Sequence, residues 1–501
     1  MALPLLVISV MGFALLPYLM PKALLFIPAQ IDPGDKFPNW VPRVELFADA
    51  FFGGPLAPMG KQAFASALTT LHVVSWVSFF LLVAALGYGG RIKSRGLIVT
   101  AGAVAAVMAI FVPPTISGDV FHYVGYARGW VYHGLNPYLH TPERLWELKD
   151  PVAPFVHHNV VSVYGPVWNQ LSAFLVLILK SSSVLTQAIA MKLLAAAALF
   201  SGALIARSIA ERIKPGTGNL AFAAMALNPL FLIDSAGNAH NDFIMMAFFL
   251  GAILMELRGK PIWSGLLIGL AIGIKILPII FLPWLIVVRL TGRKSADSVK
   301  AVLLALVIAA LPVVVGYIGL WEGPEMKKAF STYFTLTQGK QQVSEHGLVS
   351  YDGEKQAKTF KEYVHDAAFP LAYLILTSFV WRSENRLNKA LTAWIAVAML
   401  FILWQPRLYG TWYMAWPLFR IRPRRRGLLE PDHVAGTLHH GRAEDAEAMA
   451  RAVRPGHGSR LLRSAAEHQG AGETRAREAV ALRIKECPIV GNWGTWSTRK
   501  S

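Results

Sequence analysis

The chain has 501 residues, 54% hydrophobic and 16% charged, with a mean hydropathy of +0.44, whereas soluble globular domains carry about 25% charged residues. That balance excludes a soluble enzyme. The net charge of +18, from 48 Lys plus Arg against 30 Asp plus Glu, sits in short basic runs between apolar stretches, which is a membrane topology signal and not a nucleic-acid face.

In chain order, apolar stretches near bilayer length run from Leu3 to Met20, Phe64 to Tyr88, Leu97 to Pro113, Val184 to Ala206, Leu220 to Asp234, Phe243 to Leu257, Ala301 to Leu320, Ala367 to Trp381 and Ala390 to Trp404. A crossing takes about 20 residues. No soluble domain interrupts them and no repeat recurs at a fixed period. The first stretch lacks a basic n-region and a small-residue cleavage site, so it reads as a retained helix. The expectation is an all-α, polytopic transmembrane helical bundle of about 11–12 membrane segments, carrying external loop helices.

Arg91, Lys93 and Arg95, then Arg207, Arg212 and Lys214, Arg258 and Lys260, Arg289, Arg293 and Lys294, and Arg382, Arg386 and Lys389 mark the cytoplasmic side. With that orientation Asp119 and the stretch Asn238 to Asp242 face outward together. Keeping Arg207, Arg212 and Lys214 inside requires Pro166 to Lys180 to be re-entrant or interfacial. The stretch Ile262 to Arg289 needs both ends inside, so it reads as two short helices meeting near the outer surface with Lys275 at the turn. Lys22, Lys36, Arg43 and Lys61 fall in a loop that this parity places outside.

Residues 1–419 thus form the membrane domain. From Arg420 to Ser501 the chain holds 16 Lys plus Arg against 9 Asp plus Glu, and its apolar runs are too short to span. This tail reads as a basic, disordered cytoplasmic extension or as out-of-frame translation of a chain that once continued as helix. Cys487, the single cysteine, leaves no internal disulfide and no thiolate metal site.

The stretch richest in chemistry follows the third apolar run: Ser117-Gly-Asp119-Val-Phe-His-Tyr123-Val-Gly-Tyr126, then Gly134-Leu-Asn136-Pro-Tyr138, then Tyr164-Gly-Pro-Val-Trp168. On a helix Asp119, Tyr123 and Tyr126 share one face at i, i+4 and i+7. A carboxylate beside phenols suits a general base acting on a hydroxyl; the competing reading is a helix N-cap. Asn238-Ala-His240-Asn241-Asp242 puts four polar groups at a membrane edge, for binding of a sugar or for capping of the adjoining helices. Lys275 is a lone ammonium in a long apolar run and points to an anion such as a lipid phosphate, or snorkels to the headgroups. Arg407, within Gln405-Pro-Arg407-Leu-Tyr409, is a second candidate for that anion. His240 with Asp242 and Asp119 offers a metal site as a weaker alternative, two carboxylates and one imidazole being a thin ligand set, and the expectation is no metal and no cofactor.

Taken together, Gly-Asp119 with Tyr123, Gly134-Leu-Asn136-Pro-Tyr138, Tyr164-Gly-Pro-x-Trp168, Asn238-x-His240-Asn241-Asp242 and Lys275-x-x-Pro278 resemble the bacterial polyprenol-phosphate-mannose-dependent mannosyltransferases of the GT-C superfamily. The likeness covers roughly Leu97 to Tyr413. It implies an integral-membrane, inverting hexosyltransferase that moves a sugar, mannose by family likeness, from a polyprenyl-phosphate donor to a glycolipid or glycan acceptor of the cell envelope. The active site would face the extracytoplasmic side, and the family's external-loop base falls on Asp119. The likeness further implies donor phosphate binding by Lys275 and Arg407. Substrate binding would fall to Tyr123, Tyr126, Asn136, Tyr138, Tyr164, Trp168, His240, Asn241 and Asp242. Two departures stand out. The family places its base in the first external loop, which keeps Asp32, Asp35 and Asp49 as rivals, and the likeness stops near Trp416. A secondary transporter or flippase is the alternative class; it calls for paired broken helices in two repeated halves, and the sequence has one such break, near Lys275, and no repeat.

Overall fold

The computed structural model describes residues 2–19, 46–47, 49–51, 61–88, 95–114, 117–156, 161–290, 296–324, 326, 342–343, 349–350 and 360–404, and every structural statement refers to these. Arg407, Asp32, Asp35 and the tail from Arg420 lie outside the described residues.

The chain is built of helices, with one antiparallel pairing of Gln342–Val343 and Val349–Ser350. They are α1 (Ala2–Leu19), α2 (Lys61–Gly87), α3 (Arg95–Ile110), α4 (Asp119–His133), α5 (Arg144–Glu147), α6 (Pro166–Ile178), α7 (Val184–Ile213), α8 (Gly218–Ala226), α9 (Pro229–Leu232), α10 (Asp242–Leu257), α11 (Pro261–Ile274), α12 (Leu282–Leu290), α13 (Ala296–Gly316), α14 (Phe360–Trp381) and α15 (Arg386–Trp404). Four of them are long and apolar enough to cross a membrane singly, lying within α1, α2, α7 and α13, and a bent pair adds a fifth.

Shorter apolar helices accompany them among the described residues, at Arg95–Ile110, Pro166–Ile178, Pro261–Ile274, Leu277–Arg289 and Phe369–Trp381, and several apolar runs are broken by their own residues. Leu220 to Asp234 is not one helix: it bends by 52° between α8 and α9. The break falls at Asn228-Pro229, where Pro disfavours helical geometry in the residue before it and the Asn228 carboxamide caps the next segment by accepting from Leu230 N at 3.0 Å. A π-helical turn, Ile233–Gly237, continues α9. Pro166 to Ile178 is likewise a helix of 13 residues, about 20 Å long against a hydrocarbon core of about 30 Å. The stretch Ile262 to Arg289 forms α11, a 3-10 turn from Leu277 to Phe281 and α12, with Lys275 extended at the break.

Close helix contacts are made through small residues, as in membrane bundles where apolar surface alone gives helices no preference for one another over lipid. Gly265 and Gly269 of α11 lie against the Ala305 and Ala309 carbonyls of α13, where a Cβ would come within 2.6 and 2.1 Å. On α1, Gly12 faces Ser75, and the Ser9 hydroxyl donates to Ser78 Oγ at 3.2 Å.

Helices α10 and α11 form an antiparallel hairpin whose turn carries Arg258 and Lys260, and Arg289 pairs with Glu256 at 2.7 Å beside it. The opposite ends, Asp242 and Lys275, therefore meet at the far end of the hairpin. Helix α3 delivers the chain to the same region, braced by the wholly buried Lys192 of α7, whose ammonium donates to the Val112 carbonyl and lies 4.4 Å from the Phe47 ring centroid.

Candidate functional site

Helix α4 begins at Asp119, yet its carboxylate does not cap the helix: Gly118 occupies the N-cap position and no side-chain cap is made there. The Ser117 hydroxyl accepts from Asp119 N at 3.1 Å and donates to Asp119 Oδ1 at 2.9 Å. Oδ2 is the convergence point. Tyr164 OH donates to it at 3.1 Å and Tyr123 OH at 3.4 Å, and His240 Nδ1 lies 3.4 Å away. The i, i+4 spacing of Asp119 and Tyr123 thus does bring phenol and carboxylate together, while Tyr126, buried one turn on, packs toward the Tyr164 ring with centroids 6.5 Å apart.

Burial alone would raise the proton affinity of Asp119. The hydrogen bond and charge of His240, the charge of His122 and the Ser117 hydroxyl outweigh it, holding the carboxyl below the ordinary carboxylate range. The phenols go the other way, as burial first and then the Asp119 charge push Tyr164, Tyr123 and Tyr126 above the usual phenol value. The arrangement is an ionised carboxylate held by phenol and serine hydroxyls beside the His240 imidazole. Asp119 itself remains 27% exposed by its side chain, so one edge is open to an incoming group.

The second wall is the turn Asn238 to Asp242, which follows the π-helical segment. Ala239 adopts a left-handed conformation, φ 61°, a strained state for alanine that persists where surrounding contacts enforce it. Asn238 joins the walls: its amide donates to the Ile233 carbonyl at 3.0 Å while its Oδ1 accepts from Ser117 N at 3.4 Å. The first contact is capping; the second ties the turn to the Asp119 segment. His240 is wholly buried and reaches Asp119. Asn241 N donates to Tyr123 OH at 3.4 Å, yet neither polar atom of its wholly buried side chain has a hydrogen-bond partner among the described residues. Asp242 turns away from the base and accepts from Lys275 Nζ at 2.9 and 3.0 Å. Among the described residues no three His, Cys, Asp or Glu side chains converge as a metal site.

The third wall is Tyr164-Gly165-Pro166, which enters α6. Gly165 N donates to the Ile274 carbonyl at 2.9 Å, and a Cβ on Gly165 would lie 2.2 Å from the Gly273 carbonyl oxygen. Only glycine permits that approach, and it sets Tyr164 beside the chain segment that ends in Lys275. Trp168, wholly buried on the next turn, packs edge-on to Tyr123 with centroids 4.8 Å apart, its indole N–H without a partner among the described residues.

Asn136 and Tyr138 lie one layer further out. The Asn136 amide donates to the Leu320 carbonyl at 2.8 Å and to Glu322 Oε1 at 2.9 Å, and Tyr138 OH donates to the Tyr164 carbonyl at 2.9 Å. Both brace the site wall. Asp49, the described one of the rival carboxylates, is exposed.

The sequence reading passed over two parts of the surroundings. One is a buried staple in which Arg128 donates to Asp150 at 2.7 Å and to Gln187 Oε1 at 3.1 Å, with His133 Nε2 3.0 Å from the other Asp150 oxygen. The only prior signal was an Arg inside an otherwise apolar helical face. The other is a groove of about 460 Å³ lined by Val167, Gln170, Leu270, Pro312, Val315, Gly316 and Ile318, which runs along α6, α11 and α13 beside the Gly165–Gly273 contact.

This geometry coincides with a family match. Residues 40–291, which hold Asp119, the turn Asn238 to Asp242 and Lys275, match the family described as Alpha-(1->6)-mannopyranosyltransferase, N-terminal domain. Alpha-(1->6)-mannopyranosyltransferase A of Mycobacterium tuberculosis is 26% identical over 387 residues, 72% of each chain. No solved structure matches the chain. With half of its length under the family match and its apolar helices in a bundle, the chain belongs to the alpha-(1->6)-mannopyranosyltransferase family, as a membrane-embedded α-mannosyltransferase of the glycosyltransferase class.

Proposed function

We propose that this protein transfers mannose from a polyprenyl-phosphate donor to a hydroxyl of a mannose-containing glycolipid or glycan, forming an α-(1→6) bond on the extracytoplasmic face, with the GT-C type of membrane architecture. The observation that carries the reading is the cluster in which one turn, through His240 and Asp242, contacts both Asp119 and Lys275, a carboxylate to serve as base and an ammonium to meet a phosphate. The linkage follows the family and the relative it matches.

In the reaction the acceptor hydroxyl oxygen bonds to the anomeric carbon as the bond from that carbon to the phosphate oxygen breaks. The electron pair stays on the phosphate, and the hydroxyl proton passes to Asp119 Oδ2. The attacked face is opposite the leaving group, so an α product requires a β-linked donor. Asp119 is ionised at rest and takes the proton late, because the hydroxyl becomes acidic enough to give it up to a weakly basic carboxylate only as its new bond forms. Tyr123 and Tyr164 keep Oδ2 oriented, and His240 sets its charge. The Asn241 carboxamide, buried with its hydrogen-bonding capacity unused, supplies a donor and an acceptor to a sugar hydroxyl. Trp168 and Tyr126 complete the aromatic lining.

Lys275, with Arg407 as its proposed companion, takes the phosphate and stabilises the charge that grows on it in a site largely shielded from water. The groove lined by Val167, Leu270 and Val315 is open and largely apolar, and Val167 also packs against Gly273, two residues before Lys275; such a groove suits the hydrocarbon of a lipid donor more than the base of a soluble sugar nucleotide. Residues 420–501 are proposed to be a basic cytoplasmic tail outside this machinery.

The test is transfer of labelled mannose by membranes expressing wild type or Asp119→Asn at equal levels, given polyprenyl-phosphate mannose or a soluble mannose nucleotide. Transfer from the lipid donor alone, reduced about 10²–10⁴-fold in the variant as for loss of a general base, is expected. Transfer from the nucleotide, or full activity in the variant, would overturn the donor or the base respectively.

A further inference from the structure

Lys275 does not wait as a bare ammonium. Both oxygens of Asp242 hold it at 2.9 and 3.0 Å, the two side chains being 11% and 1% exposed. Asp242 stands in the first turn of α10, where the helix N-terminus favours a carboxylate, so the group is built into the fold beside Lys275. If Lys275 takes the donor phosphate, an inference that rests on the proposed function above, the phosphate and Asp242 share one ammonium and their negative charges lie a few ångströms apart.

That juxtaposition has a direction, because transfer changes the charge on the phosphate. The donor is a phosphodiester with one negative charge. Once the bond to the sugar breaks and its electron pair stays on oxygen, the product is a phosphomonoester carrying about −1.5 to −2 at neutral pH. Repulsion from Asp242 therefore grows during the reaction. We infer that Asp242 sets the charge preference of the donor site, weakening its hold on the phosphomonoester product relative to the phosphodiester donor and so promoting release of the spent lipid carrier. Like charges separated by a few ångströms at an effective dielectric near 20 interact strongly enough that neutralising Asp242 is expected to alter this preference about ten-fold.

Asp242 acts here through Lys275 and through its field, and it touches neither the sugar nor the acceptor hydroxyl. A role confined to aiming Lys275 would change the affinity of both ligands alike. A charge-setting role changes their ratio, and that ratio is the readout.

The experiment measures binding of a short-chain polyprenyl phosphate and of its methyl phosphodiester, which stands in for the donor, to the full-length protein in lipid nanodiscs. Wild type is compared with Asp242→Asn and Lys275→Gln. The expected result is that Asp242→Asn raises the affinity for the monoester over that for the diester about ten-fold, while Lys275→Gln weakens both. An unchanged or lowered ratio in Asp242→Asn would overturn the inference and leave Lys275 as the phosphate ligand. Unchanged binding of both probes in Lys275→Gln would sink the phosphate reading of Lys275 itself. Should Asp242→Asn fail to fold with its lysine left unpaired, the double variant Asp242→Asn/Lys275→Gln, which removes the pair as a unit, is compared with Lys275→Gln; a monoester-to-diester preference that does not rise there overturns the inference as well.

Discussion

His240 Nδ1 lies 3.4 Å from Asp119 Oδ2, although 121 positions separate the two in the chain, and the histidine is wholly buried while the aspartate keeps an open edge. One turn of chain thereby governs both charges of the site, since Asp242, two residues after His240, holds Lys275. The backbone strain at Ala239 immediately precedes the residues that reach in these two directions.

Replacing His240 by Gln removes the contact that holds the Asp119 carboxyl down, while burial continues to push it up. In the wild type the folded value lies below the ordinary carboxylate value of about 3.9. Asp119 therefore contributes stability that is present above that unfolded value and lost as pH falls through the lower folded one, and no loss of activity between about pH 5 and 8 is due to its protonation. In His240→Gln the acid limb of kcat/KM moves to higher pH, and kcat falls about 10–100-fold, as expected for loss of a group that orients a base. A pH profile of mannosyl transfer checks both; an acid limb that stays in place would contradict the role assigned to His240.

Asn241 supplies a test of function against stability. Burying an amide without hydrogen bonds costs about 1–3 kcal/mol, so Asn241→Leu, which keeps the branching of the side chain without its polar atoms, is expected to raise the thermal unfolding midpoint in detergent while cutting mannosyl transfer at least ten-fold. A variant both less stable and fully active would show that the carboxamide serves the fold instead of the sugar.

Gly165→Ala is expected to destabilise by about 1–3 kcal/mol, the range for forcing extra volume into a packed site, because its Cβ would meet the Gly273 carbonyl oxygen at 2.2 Å. Activity falls further than stability, since Tyr164 and Lys275 are pried apart by the same shift. Gly87→Ala, whose Cβ would meet nothing within 4 Å, is the control and leaves the unfolding midpoint nearly unmoved. Paired thermal unfolding and transfer assays separate the two effects.

The Arg128–Asp150–His133 staple predicts an acid sensitivity away from the site. Burial raises the proton affinity of Asp150, but the hydrogen bonds from Arg128, Val152 N and His133 outweigh it and leave its carboxyl below the ordinary value. Its stabilisation is therefore complete above the unfolded value of about 3.9 and is lost as pH falls through the folded one. Asp150→Asn strands the buried Arg128 charge, a loss of about 3–5 kcal/mol for a broken buried pair. The expected observation is a lowered unfolding midpoint at pH 7 and a shallower fall of that midpoint on acidification than in wild type.

The sequence by itself determined the all-helical class, the positions of most helices and the segments that bear chemistry, because apolar run length and helical spacing are local properties. Asp119 and Tyr123 could be paired from their i, i+4 spacing alone, and Lys275 was conspicuous as a charge in hydrocarbon. The break at Lys275 was legible in the same way, whereas the one at Asn228-Pro229, with its 52° bend, reads in the sequence as part of a single run. Only the tertiary structure decided what the chain's polar groups meet. That Asp242 faces Lys275 and not the base, that Asn136 braces Leu320 and Glu322, and that Tyr164 reaches Asp119 from 45 residues away all depend on packing of distant helices. The physical reason is that helix formation is settled by neighbours a few positions apart, whereas a buried polar group takes its partner from whichever backbones can approach closely enough. Here glycines decide this, as at Gly165 against Gly273, and a glycine in a sequence does not say which chain will come to meet it.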